Sequence, residues 1–389
     1  MSSVYCQNDD KSFCEIRRRI LYLIMKRLLV FHPIIAPYRI DFFNRLSRAF
    51  DMKMCMMWRN LHDQTFDYSK IEAQLSFAPT YLDKQTCHVP RGVFSTLKHF
   101  NPDVVLVSEC GLVSIMVLMY RWLTRKSFKV VSIIDDSYNM VTEDNHFSKR
   151  HKYAEQLLIP CFDNIVNVEP RVADVFKGKY GKGVCCPIIV DEERARERYR
   201  QILPISEDYV RKYDLEGRKV LLFVGRLVKL KNLQMVIPAF AEIKDEDARL
   251  VIVGSGEYEK ELKMLAKDDA RIQFVGRMEG DELYAWYNIA NCFVLASYQE
   301  PFGAVTNEAL LGGCWCLVSE KAGSQCLIEN GVNGNVFNPN DKDGFRQLLE
   351  DSIKQQSAIS LPLALRQNYM QIDFDSQIKK VIEDLDRKK

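Results

Sequence analysis

Two kinds of apolar pattern alternate along this chain. Short unbroken apolar runs are separated by stretches in which apolar residues recur at helical spacing. From Lys219 onward the alternation is regular. Val220–Val224, Arg249–Val253, Ile272–Val275, Cys292–Ala296 and Cys314–Ser319 read as strands. Asn232–Ile243, Tyr258–Lys267, Asp281–Ala290, Gly303–Leu311 and a segment in the 340s read as the helices between them. A strand with no polar alternation is buried on both faces, so the pattern predicts a parallel sheet covered by helices on either side. The first half repeats this at Arg27–Phe31, Met52–Met57, Val104–Val107, Lys129–Ile134 and Asn164–Val168.

At 389 residues the chain exceeds what one ordinary core supports. The expected architecture is therefore α/β, with two Rossmann-like doubly wound domains facing a central cleft. Residues 1–24 precede the first strand as a tail, and 25–190 form the first domain. Residues 191–214, rich in Glu and Arg and containing Pro204, read as a linker, with the second domain at 215–365. In 366–389, Ile378, Val381, Ile382 and Leu385 stand at helical spacing, a helix able to pack back on the first domain. Ligands of such sheets sit where strand carboxyl ends face the gap.

Charge and thiols narrow the class. The net charge of +2 gives no support for a nucleic-acid partner. It is uneven: residues 1–190 hold 26 Lys+Arg against 19 Asp+Glu. That bias either leans on an anionic membrane or acceptor, as peripheral membrane association would, or is an accident of surface composition. The twelve cysteines include no Cys-x-x-Cys pair, and several sit in apolar runs such as Cys292-Phe-Val-Leu. This is the pattern of reduced thiols in a cytoplasmic protein. The six histidines, His32, His62, His88, His99, His146 and His151, show no metal-ligand spacing, and no metal or cofactor is expected. Ile20–Phe31 is interrupted by Lys26 and Arg27, and Gly111–Leu123 is short, so neither reads as a membrane span.

The densest chemical signal is Ser297-Tyr-Gln-Glu300-Pro-Phe-Gly303-Ala-Val-Thr306-Asn-Glu308. A strand ends, a Pro-Phe-Gly turn follows, and a helix begins. Gly303 lets backbone approach a ligand, and amides at a helix start favour an anion. Glu300 and Glu308 point into the cleft from different heights. The second signal is Gly225-Arg226-Leu-Val-Lys-Leu-Lys231 after another buried strand. Arg226 and Lys231 supply a guanidinium fork and an ammonium for a diphosphate. Gly254-Ser-Gly256 and Gly276-Arg277 close two more strands at the same edge. The third glycine of a dinucleotide fingerprint is replaced by Glu259, which disfavours a nicotinamide enzyme.

Gly-Arg-Leu with Lys five residues after the Arg, Val-Gly-Ser-Gly, Phe-Val-Gly, and Glu300-Pro-Phe-Gly followed by Glu308 resemble the retaining GT-B glycosyltransferases of family four. The resemblance is specific over residues 218–340. In the first half, Pro37-Tyr38-Arg39-Ile-Asp-Phe-Phe-Asn44 resembles a subgroup that makes surface polysaccharides. The resemblance implies a hexosyltransferase taking sugar from a UDP- or GDP-sugar to a saccharide or lipid-linked acceptor. In that scheme Arg226 and Lys231 grip the diphosphate in place of a metal, and Glu308 holds the ribose. Glu300 faces the transferred sugar, and the Arg277 loop meets the base. Gly225, Gly254 and backbone around Phe302, Gly303, Ala304 and Val305 complete the donor side. Arg39, Glu109 and Asp136 fall on the acceptor side, which would lie at the inner face of the membrane.

Two positions depart from that pattern. His32-Pro-Ile-Ile-Ala-Pro37 replaces a glycine-rich loop, and Asp135-Asp136-Ser137 stands where many relatives have a His. The two carboxylates either contact the sugar or take the acceptor proton, with Asp135 the candidate base, or they cap the next turn. Two other functions compete with transfer: a sugar-nucleotide epimerase on the same architecture, and a non-catalytic scaffold. A phosphorylase would need a pyridoxal-bearing lysine, and no lysine here is singled out for one.

Overall fold

The computed structural model describes residues 25–58, 66–82, 90–143, 148–267 and 269–387. The expected tail, 1–24, and His62, His88 and His146 lie outside the described residues.

Two parallel sheets form. The first contains β1 (Arg27–His32), β2 (Asp51–Met56), β3 (Thr80–Tyr81), β4 (Val104–Ser108), β5 (Lys129–Ile134), β6 (Asn164–Asn167) and β7 (Val184–Cys185). Its order is β3-β2-β1-β4-β5-β6-β7. The second contains β8 (Lys219–Val224), β9 (Ala248–Val253), β10 (Ile272–Gly276), β11 (Cys292–Leu295), β12 (Trp315–Ser319) and β13 (Gly334–Phe337), in the order β10-β9-β8-β11-β12-β13. Every paired strand is parallel, from Arg27 against Asp51 in the first sheet to Lys219 against Ala248 in the second.

The unbroken apolar runs have the predicted cause. Along β1, Leu28 and Val30 face a core with Phe42, Phe43 and Leu46, while Leu29 and Phe31 face another with Val93, Leu97 and Val117. Neither face of the strand meets water. Strand order also fixes where ligands fit. Each sheet reverses direction between its first strand and the fourth, at β1/β4 and at β8/β11, and loops there diverge to opposite faces and leave a crevice. The loops at these points are His32–Arg39 and Glu109 in one half, Gly225–Lys231 and Ser297–Gly303 in the other.

Residues 191–214 are two helices, Glu192–Gln201 and Leu203–Lys212. Pro204 stands in the first turn of the second, where the missing N–H has no partner to lose. The Ser206 hydroxyl donates to the carbonyl of Ala285 at 3.1 Å, so this segment lies on the second half. The final helix, Phe374–Asp386, lies on the first half. It buries Ile378, Val381 and Leu385, and Asp384 accepts from Asn164 Nδ2 at 2.8 Å while pairing with Lys129 Nζ at 3.2 Å. The chain crosses between halves at residue 190, where the Val190 amide donates to Asn307 Oδ1 at 3.0 Å and that of Asp191 to Asp41 Oδ2 at 2.9 Å. Across the mouth of the gap, Lys321 pairs with Glu143 at 2.7 Å. Among the described residues no helix is long and apolar enough to cross a membrane.

Candidate active site

The second half supplies the better-defined wall. Gly225 follows β8 with φ 157°, and Gly254 follows β9 with φ 152°. A Cβ on Gly254 would stand 1.9 Å from the Gly225 carbonyl oxygen, and one on Gly256 2.3 Å from that of Leu227. Gly254-Ser-Gly256 is thus the seat on which the Arg226 loop rests, backbone against backbone. Lys229–Lys231 makes a 3-10 turn that ends at Asn232 (φ 60°), whose side-chain amide donates to the Pro339 carbonyl at 3.1 Å.

This turn is tied to the loop after β11. The Tyr298 amide donates to the Leu230 carbonyl at 2.9 Å, and the Lys231 ammonium pairs directly with the Glu300 carboxylate. Ser297 Oγ stands 3.5 Å from the same carboxylate oxygen. Gly303, at φ 91°, lets the chain turn over Leu295: a Cβ there would lie 2.6 Å from Leu295 Cδ2. The amides of Gly303, Ala304 and Val305 find no acceptor among the described residues, and these residues are partly accessible. Arg226 is exposed beside this turn and makes no ion pair among the described residues. The structure thus brings Lys231, Glu300 and the 303–305 amides together, with Arg226 free to join them.

Glu308 is held differently. It is 8% exposed, and both carboxylate oxygens are taken: Tyr284 OH donates to Oε1 at 3.1 Å, Tyr287 OH to Oε2 at 2.9 Å. Burial pushes its pKa up, and the two phenols hold it down. Tyr199 OH donates to the Glu308 carbonyl at 2.7 Å, anchoring the same turn to the helix Glu192–Gln201. The tyrosines went unnoticed in the sequence although Tyr284 and Tyr287 lie one helical turn apart. Arg277 is exposed and its Nε donates to Glu279 at 3.0 Å.

On the facing wall, Arg39 is 2% exposed and pairs with Asp135 at 2.5 Å. Burial works against the Arg39 charge, and Asp135 more than offsets it. His32, the last residue of β1, is pushed down to about 4 by burial and then by Arg39. Burial, with Asp135 next, pushes the Tyr38 phenol up to about 12; Glu300 and Glu308 also contribute, so this phenol feels carboxylates of both halves. Glu109 has φ 59° and accepts from the Asp135 amide at 3.2 Å. Burial, then Asp136 and Asp135, hold its carboxyl well above the usual range. Burial, then Glu155 and Asp135, push Asp136 up to about 7. Neither aspartate caps the following helix, Tyr138–Thr142: its first amide goes to Glu169 Oε2 at 2.7 Å. Asp135 is clamped by Arg39, and Asp136 Oδ2 is buried with no hydrogen-bond partner.

A family model described as Glycosyl transferases group 1 matches residues 206–370. The match covers the second half of the chain, including the loops after β8 and β11. Of the proposed site residues, Arg226, Lys231, Glu300 and Glu308 lie inside the group 1 span, while Arg39, Glu109, Asp135 and Asp136 lie outside it. Its curated relatives include an uncharacterised glycosyltransferase of Methanocaldococcus jannaschii, 32% identical over 157 residues, 36% of this chain and 40% of the relative. Sulfoquinovosyl transferase SQD2 of Arabidopsis thaliana is 22% identical over 320 residues, 73% of this chain and 54% of the relative. The chain spans about half the length of these relatives. Among solved structures, Anabaena Alr3699/HepE in complex with UDP and glucose superposes with a TM-score of 0.70 at 16% identity, covering 92% of this chain and 99% of that one. WaaG, a glycosyltransferase involved in lipopolysaccharide biosynthesis, gives 0.63 at 16% identity, covering 93% and 100%. At these identities the likeness is one of fold alone, the two-domain GT-B arrangement.

Proposed function

We propose that this protein is a glycosyltransferase that moves a sugar from a nucleoside diphosphate sugar to a saccharide acceptor with retention at the anomeric carbon. The carrying observation is the meeting of Lys231, Glu300 and the unsatisfied amides of 303–305 at the β8/β11 switch point, with Arg226 beside them. As the bond from sugar to phosphate breaks, negative charge grows on the leaving diphosphate. Cations and amides fixed beforehand at that position lower the barrier, because they need not reorganise when the charge appears. In the free protein Glu300 holds the Lys231 ammonium. A bound diphosphate competes for it, and Glu300 is then released toward the sugar. The acceptor hydroxyl approaches from the Asp135 side, and its proton passes to the departing phosphate oxygen on the same face. Because Arg226 and Lys231 meet the diphosphate charge, this reading needs no metal at the donor. Uridine is the favoured base, since HepE, of the same fold, is a complex with UDP and glucose.

A lipid-linked acceptor at the cytoplasmic face of a membrane fits a surface of the first half. On the helix Leu112–Thr124, Leu112, Ile115, Met119, Trp122 and Leu123 are exposed, Trp122 by 77%. Ile115, Met119 and Trp122 line a groove with Leu158, rimmed by Lys182 and by Arg121, which pairs with Asp163 at 2.5 Å. An apolar stripe with an interfacial Trp and flanking cations matches an anionic bilayer surface. The helix begins three residues beyond Glu109, so a bilayer there sits next to the acceptor side.

The test is a thermal-shift panel of UDP-, GDP- and ADP-sugars followed by turnover of a labelled donor. A donor bound only by the native state raises the melting temperature. One nucleotide class shifting the protein, with or without chelator, and label appearing in an acceptor supports the reading. Binding without turnover on any saccharide acceptor favours the scaffold instead.

A further inference from the structure

We propose a divalent transition-metal site formed by Asp136, His151 and Glu155, behind the acceptor wall and separate from the diphosphate. Asp136 lies two residues beyond β5, while His151 and Glu155 stand one turn apart on the helix Lys149–Leu158. One ligand atom from each lies within 4.8 Å of both others. This arrangement was not legible in the sequence, where no histidine shows metal-ligand spacing, because the third ligand comes from another element.

Three observations point to an ion. Asp136 is 6% exposed and its Oδ2 is fully enclosed with no hydrogen-bond partner. A carboxylate oxygen buried without a donor costs free energy that a cation would recover. His151 Nε2 and Glu155 Oε1 are 3.5 Å apart. Ligands of a tetrahedral centre with bonds near 2.1 Å lie about 3.4 Å from one another, so this pair already has that spacing. Finally, the Ser137 hydroxyl, next to Asp136 in the chain, and the Asn167 side-chain amide, at the end of β6, are also enclosed without partners.

One imidazole nitrogen with two carboxylate oxygens favours zinc or a neighbouring first-row ion over magnesium or calcium, which prefer all-oxygen sets. Three protein ligands leave a position for water. The ion would fasten the helix Lys149–Leu158 to the end of β5, next to Asp135, and so act as a positioning device for the acceptor wall.

The experiment takes the full chain, strips it with chelator, and measures bound zinc by equilibrium dialysis and elemental analysis. Cysteines also take zinc, so the comparison is with Asp136→Asn and Glu155→Gln, which keep shape and lose one ligand charge. The expected result is one zinc per chain more in the parent than in either variant. Zinc, and not magnesium, should raise the melting temperature of the parent alone. Equal zinc content in parent and variants overturns the proposal, as does a zinc-induced shift that survives in both. The readout needs neither donor nor acceptor. Failure here therefore leaves glycosyl transfer untouched, and failure of transfer leaves this site untouched.

Discussion

Removing the Lys231 ammonium separates its two jobs, holding Glu300 in the free protein and stabilising the leaving diphosphate. The two side chains are 17% and 15% exposed, so the pair is largely enclosed but not dry. In Lys231→Ala the Glu300 carboxylate keeps only the Ser297 hydroxyl at 3.5 Å. Loss of a partner by a fully buried ion costs about 3–5 kcal/mol. Partial exposure and the option of protonation bring the expected destabilisation nearer 1–3 kcal/mol. Turnover should fall by roughly 10²–10³, about 2.7–4 kcal/mol of transition-state stabilisation. In Lys231→Ala/Glu300→Gln no charge is stranded, so most of the lost stability should return while turnover stays low. Urea unfolding and initial rates with a labelled donor measure the two separately. Turnover within about twofold of the parent in Lys231→Ala would remove this cation from the mechanism. A double variant no more stable than the single one would show that the ion pair is not what holds the loops.

Three other perturbations test the facing wall and the surface. Arg39→Met leaves Asp135 without its cation; the arginine is buried but the aspartate is 35% exposed, so solvent screening brings the expected cost in urea unfolding to about 1–3 kcal/mol; a loss under about 0.5 kcal/mol would show that the pair contributes nothing to the wall. His32 titrates at about 4 when folded, against 6.5 ordinarily, so between those values the unfolded chain binds the extra proton. Its contribution is therefore intact above pH 6.5 and is lost as pH falls toward 4, about 2 kcal/mol after allowance for screening. Unfolding of His32→Asn across that window should lack this slope, and an unchanged slope refutes the assignment. Trp122→Glu removes a 77% exposed ring from the apolar stripe. Cosedimentation with anionic vesicles should weaken by about tenfold or more with the fold intact, and parent protein that ignores such vesicles would end the bilayer reading.

The second half was readable because its physics is local. Strands buried on both faces, as at Val220–Val224, leave an apolar run no surface element would tolerate, and the glycines after them mark backbone contact. There the structure adds that Gly254 supports the Arg226 loop through its contact with Gly225. Strands β3, β7 and β13 were invisible, since two to four residues at a sheet edge carry too little pattern. The segment 191–214 read as a linker because its surface is charged, yet Ala195, Tyr199 and Val210 are buried against the second half. The site was legible where consecutive residues build a loop, as in Gly225–Lys231 and Ser297–Gly303. It was not legible where partners come from distant elements: Arg39 with Asp135, Glu308 with Tyr284 and Tyr287, or Asp136 with His151.

The return of the last helix to the first half has a consequence for biosynthesis. Lys129 and Asn164 belong to strands made early, but the carboxylate that satisfies them, that of Asp384, is made 220 residues after Asn164. On the ribosome the first sheet emerges with one flank bare, whereas the second half is contiguous and contains its own partners. The half made later is thus able to finish before the earlier one, which waits for a strap that lies beyond its neighbour. A ribosome stalled before residue 374 would hold a chain with one completed domain and one whose apolar groove still seeks a cover.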